Sequence, residues 1–298
     1  MPNYVIFALS AYFLLAMHGV VDKFLLNKAI RHPIAYTFYS GTTTIFILLL
    51  APFGLQMLGP LDMVAAIIVG GSFLFATYYL YVAIQKSSVS RVLPIQGGLV
   101  PIFTLLFSYL ILGDTLTLQQ TFAFALLTTG SILIAVKSDD IGKWHLPGLR
   151  DMVLAAVLFA LSLVLSKYVF DRSNLVTGLV WSRLAMFTIA LSFLLIRSNR
   201  KEIFDTPKEA GKNNVILFYF VRVIGAMAGF FQNYAISIGS VIIVNALQGF
   251  QFVFVLGLTS WLSIHFPKIL KEKITGKILV IKLVSIILIT TGLVLLSL

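Results

Sequence analysis

The 298-residue chain contains no cysteine, which excludes disulfides, thiolate metal sites and cysteine nucleophiles. Charge is also scarce. Asp, Glu, Lys and Arg make up 11% of the residues, against about a quarter in a soluble domain. Acidic residues are the rarest, 11 against 22 Lys and Arg, for a net charge of +11. Several signatures are missing as well: His-Glu-x-x-His, Gly-x-Ser-x-Gly, the Walker A phosphate loop, Gly-x-Gly-x-x-Gly, and any cluster of His, Asp and Glu spaced for a metal. Neither cofactor, metal, ATPase module nor enzymatic activity is expected.

Hydrophobic residues are abundant, 59% of the chain, with a mean hydropathy of +0.99. Apolar runs of about 20 residues, the length that spans a bilayer, recur along its whole length. Turn and charge signals divide them into ten predicted spans: 4–27, 34–57, 62–86, 89–112, 118–136, 148–170, 175–197, 214–238, 240–265 and 276–298. Barrel strands would alternate in polarity every second residue, and these runs do not, so the expected fold is all-α and integral to the membrane. The first run starts at Tyr4 with neither a basic flank nor a small-residue cleavage pattern, and is expected to remain as a helix.

In a soluble protein this much positive charge would suggest nucleic acid. Here sixteen of the 22 Lys and Arg residues fall in or beside the loops after runs 1, 3, 5, 7 and 9. Positive-inside bias accounts for that pattern and makes those loops cytoplasmic in a multi-pass cell-membrane protein, with both termini outside. No nucleic-acid partner is expected, only the bilayer and a small-molecule substrate; monomer and homodimer both stay open. The segment 198–213, "SNRKEIFDTPKEAGKN", reads as a plain mixed-charge loop.

The two halves resemble each other. "VDKFLLNK" (21–28) matches "LSKYVFDR" (165–172) at a shift of 144, and "VLPIQGG" (92–98) matches "VNALQGF" (244–250) at 152. "DTLT" (114–117) faces "EKIT" (272–275) at 158, and "LTTGSILI" (127–134) faces "ITTGLVLL" (289–296) at 162. Residues 1–137 and 138–298 are thus read as two five-helix repeats. An odd number of helices makes the second enter the membrane from the opposite side, and such inverted repeats place substrate sites near the midplane between them.

These motifs, together with "VPIFTLLFSYLILGDTLT" (100–117) and the arginine-bearing "WSRLAMFTIALSFLL" (181–195), resemble the EamA-type transporters of the drug/metabolite transporter superfamily. The resemblance covers about residues 4–298. It implies a secondary active transporter working by alternating access, an exporter of small metabolites such as amino acids. The second half departs from the pattern: "HFPKILKEKIT" (265–275) replaces a short turn, and Pro94 and Pro101 become Ala246 and Val253. The alternative reading is an intramembrane enzyme or carrier acting on a lipid-linked or nucleotide-sugar substrate.

Candidate site residues follow from polar and helix-weakening groups inside apolar runs. Pro94 and Pro101 each remove a backbone donor, and Gly97, Gly98 and Gly249 permit unwinding or close approach, so these five are candidates for a helix break or gate. Gln96 and Gln248 bring matched amides toward one midplane cavity from the two repeats. Asn245, Gln248 and Phe252 share a helical face. Arg222 and Asn233 share another, and an intramembrane guanidinium suits a substrate carboxylate or phosphate. Its alternative is snorkelling to a membrane edge. Tyr78 and Tyr81 either stack on a planar substrate or belong to the interfacial aromatic belt, and Trp181 and Trp261 read as belt anchors. His18 and Asp22, four apart, are either a proton-coupling pair or an interfacial ion pair with a packing histidine; the repeat places Ser162 and Ser166 opposite them. Asp114 and Glu272 read as caps at the entry to each repeat's fifth helix.

Overall fold

The computed structural model describes residues 2–28, 32–87, 89–135, 147–265 and 276–297. The segment 266–275, including Glu272, and most of the connection 136–148 lie outside the described residues. So do the side chains of Pro94 and Trp261. Among the described residues the chain is helical and has no strand. The helices are α1 (Asn3–Lys28), α2 (Pro33–Thr42), α3 (Pro60–Lys86), α4 (Val89–Phe107), α5 (Leu118–Ala135) and α6 (Leu149–Arg172), then α7 (Leu175–Ser192), α8 (Arg197–Ala210), α9 (Lys212–Ile238), α10 (Val241–Ala246), α11 (Gly249–His265) and α12 (Gly276–Ser297).

Among the described residues seven segments are long and apolar enough to cross a bilayer. Large apolar side chains face outward on them, among them Phe46 at 69% exposure and Phe220 at 63%. Faces of this size are stable only against lipid. The protein is a multi-pass membrane protein.

Local chemistry sets the helix ends. Pro33 and Pro60 occupy the first turns of α2 and α3, where the missing N–H costs nothing. α2 tightens into a 3-10 segment, Thr43–Phe53, closed by Gly54 at φ 121°. Asn174 caps α7 by accepting from the Thr177 amide at 2.8 Å. The same asparagine donates to the Gly54 carbonyl at 3.1 Å, and Trp181 donates to the Gln56 carbonyl at 3.0 Å. Those two bonds clamp the 54–56 turn onto α7.

Asp114 departs from its expected role. It accepts from the Ser108 hydroxyl at 2.7 Å and so closes the π-helical turn Ser108–Leu112. The cap of α5 is a Thr117–Gln120 box instead, with bonds of 3.0 and 3.2 Å. The 198–213 segment also differs from the loop reading: α8 is a helix whose Ile203, Thr206 and Ala210 are buried. Its buried residues recur at i, i+3 and i+7, a spacing that a mixed-charge composition obscures. The Tyr39 hydroxyl donates to the Ile203 carbonyl at 2.9 Å and ties α8 to α2.

α3 and α6 run antiparallel and are locked at both ends, by Lys86 with Asp151 at 2.7 Å and by Arg172 with Asp62 at 3.0 Å. α1 packs on α9, and α5 on α12. The α5–α12 contact is reciprocal. A Cβ on Gly130 would meet Ile289 Cγ1 at 2.7 Å and the Ser285 carbonyl at 3.0 Å; one on Gly292 would meet Leu127 Cγ at 2.8 Å and the Ala123 carbonyl at 3.1 Å. Close packing of small residues is how membrane helices gain dispersion energy without a hydrophobic drive between them.

Candidate functional site

A buried polar cluster joins α1, α2, α3 and α9. Arg222 extends from α9 and donates through Nη2 to both carboxylate oxygens of Asp22, at 2.5 and 2.7 Å. Both side chains are nearly enclosed, 13% and 11% exposed. Asp22 also accepts from the Tyr36 hydroxyl at 2.5 Å, and His18 Nδ1 lies 3.5 Å from its other oxygen. The guanidinium reaches Ser40 Oγ at 3.3 Å, and its carbon stands 5.2 Å and 5.0 Å from the Tyr36 and Phe218 ring centroids. Tyr81 packs edge-on against Tyr36, with centroids 4.4 Å apart.

This arrangement has a physical logic. An ion pair in low dielectric must recover the cost of dehydrating two charges, and it does so only with good geometry and further hydrogen bonds. Asp22 receives a hydroxyl as well as the guanidinium, and Arg222 lies against two aromatic faces. Its Nε, buried, has no hydrogen-bond partner. Gly225, one turn beyond Arg222, makes room for His18: a Cβ there would meet the imidazole at 2.7 Å.

Of the residues singled out in the sequence, the structure brings His18, Asp22, Tyr81 and Arg222 together. Arg222 is turned onto Asp22 and is not extended to the protein surface. Tyr36, Ser40 and Phe218 belong to the same cluster and went unnoticed. Their signal was slight: a tyrosine and a serine at i and i+4 on a short helix, which read as ordinary helix-packing residues.

The remaining residues lie elsewhere. Gln96 donates to the Met152 carbonyl near the start of α6 at 2.6 Å, and its own Oε1 is buried without a partner. Asn233 donates to the Gly229 carbonyl and Asn245 to the Val241 carbonyl, each within its own helix, at 2.7 and 2.8 Å. Tyr78 is part-buried beside Tyr79.

The helix-break expectation is corrected in one respect. α4 runs unbroken from Val89 to Phe107 through Pro94 and Pro101. The interruption falls in the second half of the chain, between α10 and α11 at Leu247–Gln248, beside Gly249. Each proline removes only one backbone bond, and Gly97 and Gly98 let neighbours press in and hold the helix: Phe252 of α11 occupies the space a Gly97 side chain would need, and Ile132 of α5 that of Gly98. Gly249 is packed the same way against Ser131 and Ile289. Because of the interruption, Asn245, Gln248 and Phe252 do not lie on one continuous helix.

No curated protein matches this chain. A solved structure described only as a crystal structure of a protein has a similar fold, with a TM-score of 0.65 at 15% identity, covering 99% of this chain and 96% of that one. Residues 2–136 match the EamA-like transporter family of the drug/metabolite transporter superfamily.

Proposed function

We propose that the protein is a secondary active transporter of small metabolites, amino acids among them, that exports its substrate by alternating access. In this reading ten spans form two inverted five-helix repeats, residues 1–137 and 138–298, with odd-numbered loops cytoplasmic in a cell membrane. The reciprocal α5–α12 contact supports the repeat. Gly130, Leu127 and Ala123 correspond to Gly292, Ile289 and Ser285 at one shift of 162, the shift that aligns the two "TTG" motifs.

One observation carries the mechanism: Arg222 of the second repeat is tied to Asp22, Tyr36 and Ser40 of the first. A buried ion pair between two bodies that must move apart is a latch. Protonating Asp22 removes the charge that holds Arg222, so the latch opens when a proton arrives, with His18 as the neighbouring relay. Proton entry is thereby coupled to separation of α1 and α2 from α9.

The test is flux in proteoliposomes loaded with labelled amino acids and other metabolites. Asp22→Asn should abolish uphill movement driven by a pH gradient while leaving solute counterflow intact. Proton-driven accumulation that survives in folded Asp22→Asn protein overturns the coupling. Topology is checked separately by a C-terminal reporter that is active only in the cytoplasm; it should stay dark.

A further inference from the structure

A second intramembrane arginine stands apart from the latch. Arg183 lies midway along α7, part-buried, and its contacts are of a different kind: Nη1 is 3.6 Å from Met186 Sδ, and the guanidinium carbon is 4.5 Å from the Phe73 ring centroid. Phe73 in turn meets Phe159 edge-on at 5.3 Å. Among the described residues no carboxylate is within ion-pair distance of Arg183. Asp62 is paired with Arg172, Asp171 with Lys167, and Asp22 with Arg222. A thioether and an aromatic face are weak partners for a guanidinium, which carries five donors.

A full positive charge at mid-membrane depth, with no counter-charge from the protein, calls for one from outside. We infer that Arg183 is a binding site for a small monocarboxylate, whose charge completes the ion pair and whose apolar body lies near Phe73 and Phe159. The charge balance selects the class. One unpaired cation neutralises one negative charge, whereas a phosphate dianion would leave surplus charge in low dielectric, and an ammonium would restore the uncompensated positive one. The two arginines then divide the work: Arg222 is held by the protein's own carboxylate, and Arg183 takes a solute's, which narrows the proposed metabolites at this site to monocarboxylates without an ammonium group.

The inference rests on the transporter reading, since transport is what brings a solute to α7. Purified protein is heated in detergent with benzoate, benzamide, phenyl phosphate or L-phenylalanine, and the ligand-dependent rise in melting temperature is titrated. Benzoate should stabilise the wild type most. Arg183→Gln should weaken its apparent affinity about tenfold or more, the loss of a charge-assisted bidentate contact, and Arg183→Lys should restore part of it. Equal stabilisation by benzamide, stronger stabilisation by phenyl phosphate or L-phenylalanine, no response to benzoate, or an unchanged response in folded Arg183→Gln protein would each overturn the assignment. Solute flux indifferent to Arg183→Gln sinks this inference and spares the transporter reading; Arg183-dependent binding with no flux of any solute does the reverse.

Discussion

Removing either partner of the latch should destabilise the protein, and by unequal amounts. Asp22→Leu strands Arg222: what remains is one hydroxyl contact at 3.3 Å to Ser40, the Tyr36 hydroxyl at 3.1 Å, and two aromatic faces. Arg222→Met strands Asp22, but the Tyr36 hydroxyl still donates to it at 2.5 Å, and His18 stands 3.5 Å away. Losing one member of a buried pair costs about 3–5 kcal/mol. Asp22→Leu should lie at the upper end and Arg222→Met at the lower, because a carboxylate can also escape its charge by taking up a proton. The double variant Asp22→Leu/Arg222→Met leaves no stranded charge and should be less destabilised than Asp22→Leu alone, which requires a coupling larger than the Arg222→Met loss, about 3 kcal/mol or more. Equilibrium unfolding in mixed micelles measures all four corners of the cycle. If the two single losses simply add in the double variant, the groups are not coupled and the latch does not exist.

Further outcomes follow from the packing and the caps. Gly130→Val and Gly292→Val should each lower stability by about 1–3 kcal/mol or more, since the new side chain meets backbone that cannot yield; the reciprocal geometry predicts similar losses for the two, read by the same unfolding assay. Asn174→Ala removes a cap and a clamp on the Gly54 carbonyl and should cost about 1–2 kcal/mol, with faster proteolysis at the 54–56 turn. Tyr12→Phe removes the 2.8 Å bond to the Val244 carbonyl in the short α10 and should cost about 1 kcal/mol, with faster amide exchange at residues 241–248.

Much of the helix layout was legible because its cause is local. Apolar length, Pro at helix starts and Gly at turns are written in consecutive residues, so the expected spans coincide closely with the helices at 3–28, 60–86, 149–172 and 276–297. α8 was not legible, because its buried stripe is only three residues wide within a charged segment. Gly249 stood among the helix-break candidates, but nothing in the sequence showed why the interruption falls there and not in α4. Gln-Gly alone does not break a helix, and what distinguishes this copy from α4 is tertiary: Ser240 starts a six-residue helix whose Val244 carbonyl is held by Tyr12 of α1. The site was half visible. Charges in apolar runs stand out one at a time, but that Asp22 faces Arg222, 200 residues away, follows from α1 packing on α9 and from nothing nearer in sequence.

Under the proposed repeat, the position of the cluster has a reason. At the shift of 144 Asp22 faces Ser166, and at 152 Tyr81 faces Asn233. The second-repeat members satisfy themselves: Ser166 donates to the Ser162 carbonyl at 2.8 Å and Asn233 to the Gly229 carbonyl at 2.7 Å, each one turn back in its own helix. Their first-repeat counterparts cannot, since a carboxylate has no proton to donate to a carbonyl and a tyrosine hydroxyl lies too far from its own backbone. Asp22 must therefore find a donor across a helix interface, and Arg222 supplies it. Substituting the self-satisfying residue into the first repeat, as Asp22→Ser, should release Arg222 and disable proton coupling. Introducing Ser166→Asp should not create a second latch, because Gly70, the residue facing Arg222 at the shift of 152, carries no cation. A Ser166→Asp variant that rescues proton-driven flux in Asp22→Ser protein would show that the coupling does not depend on the asymmetry between the two copies.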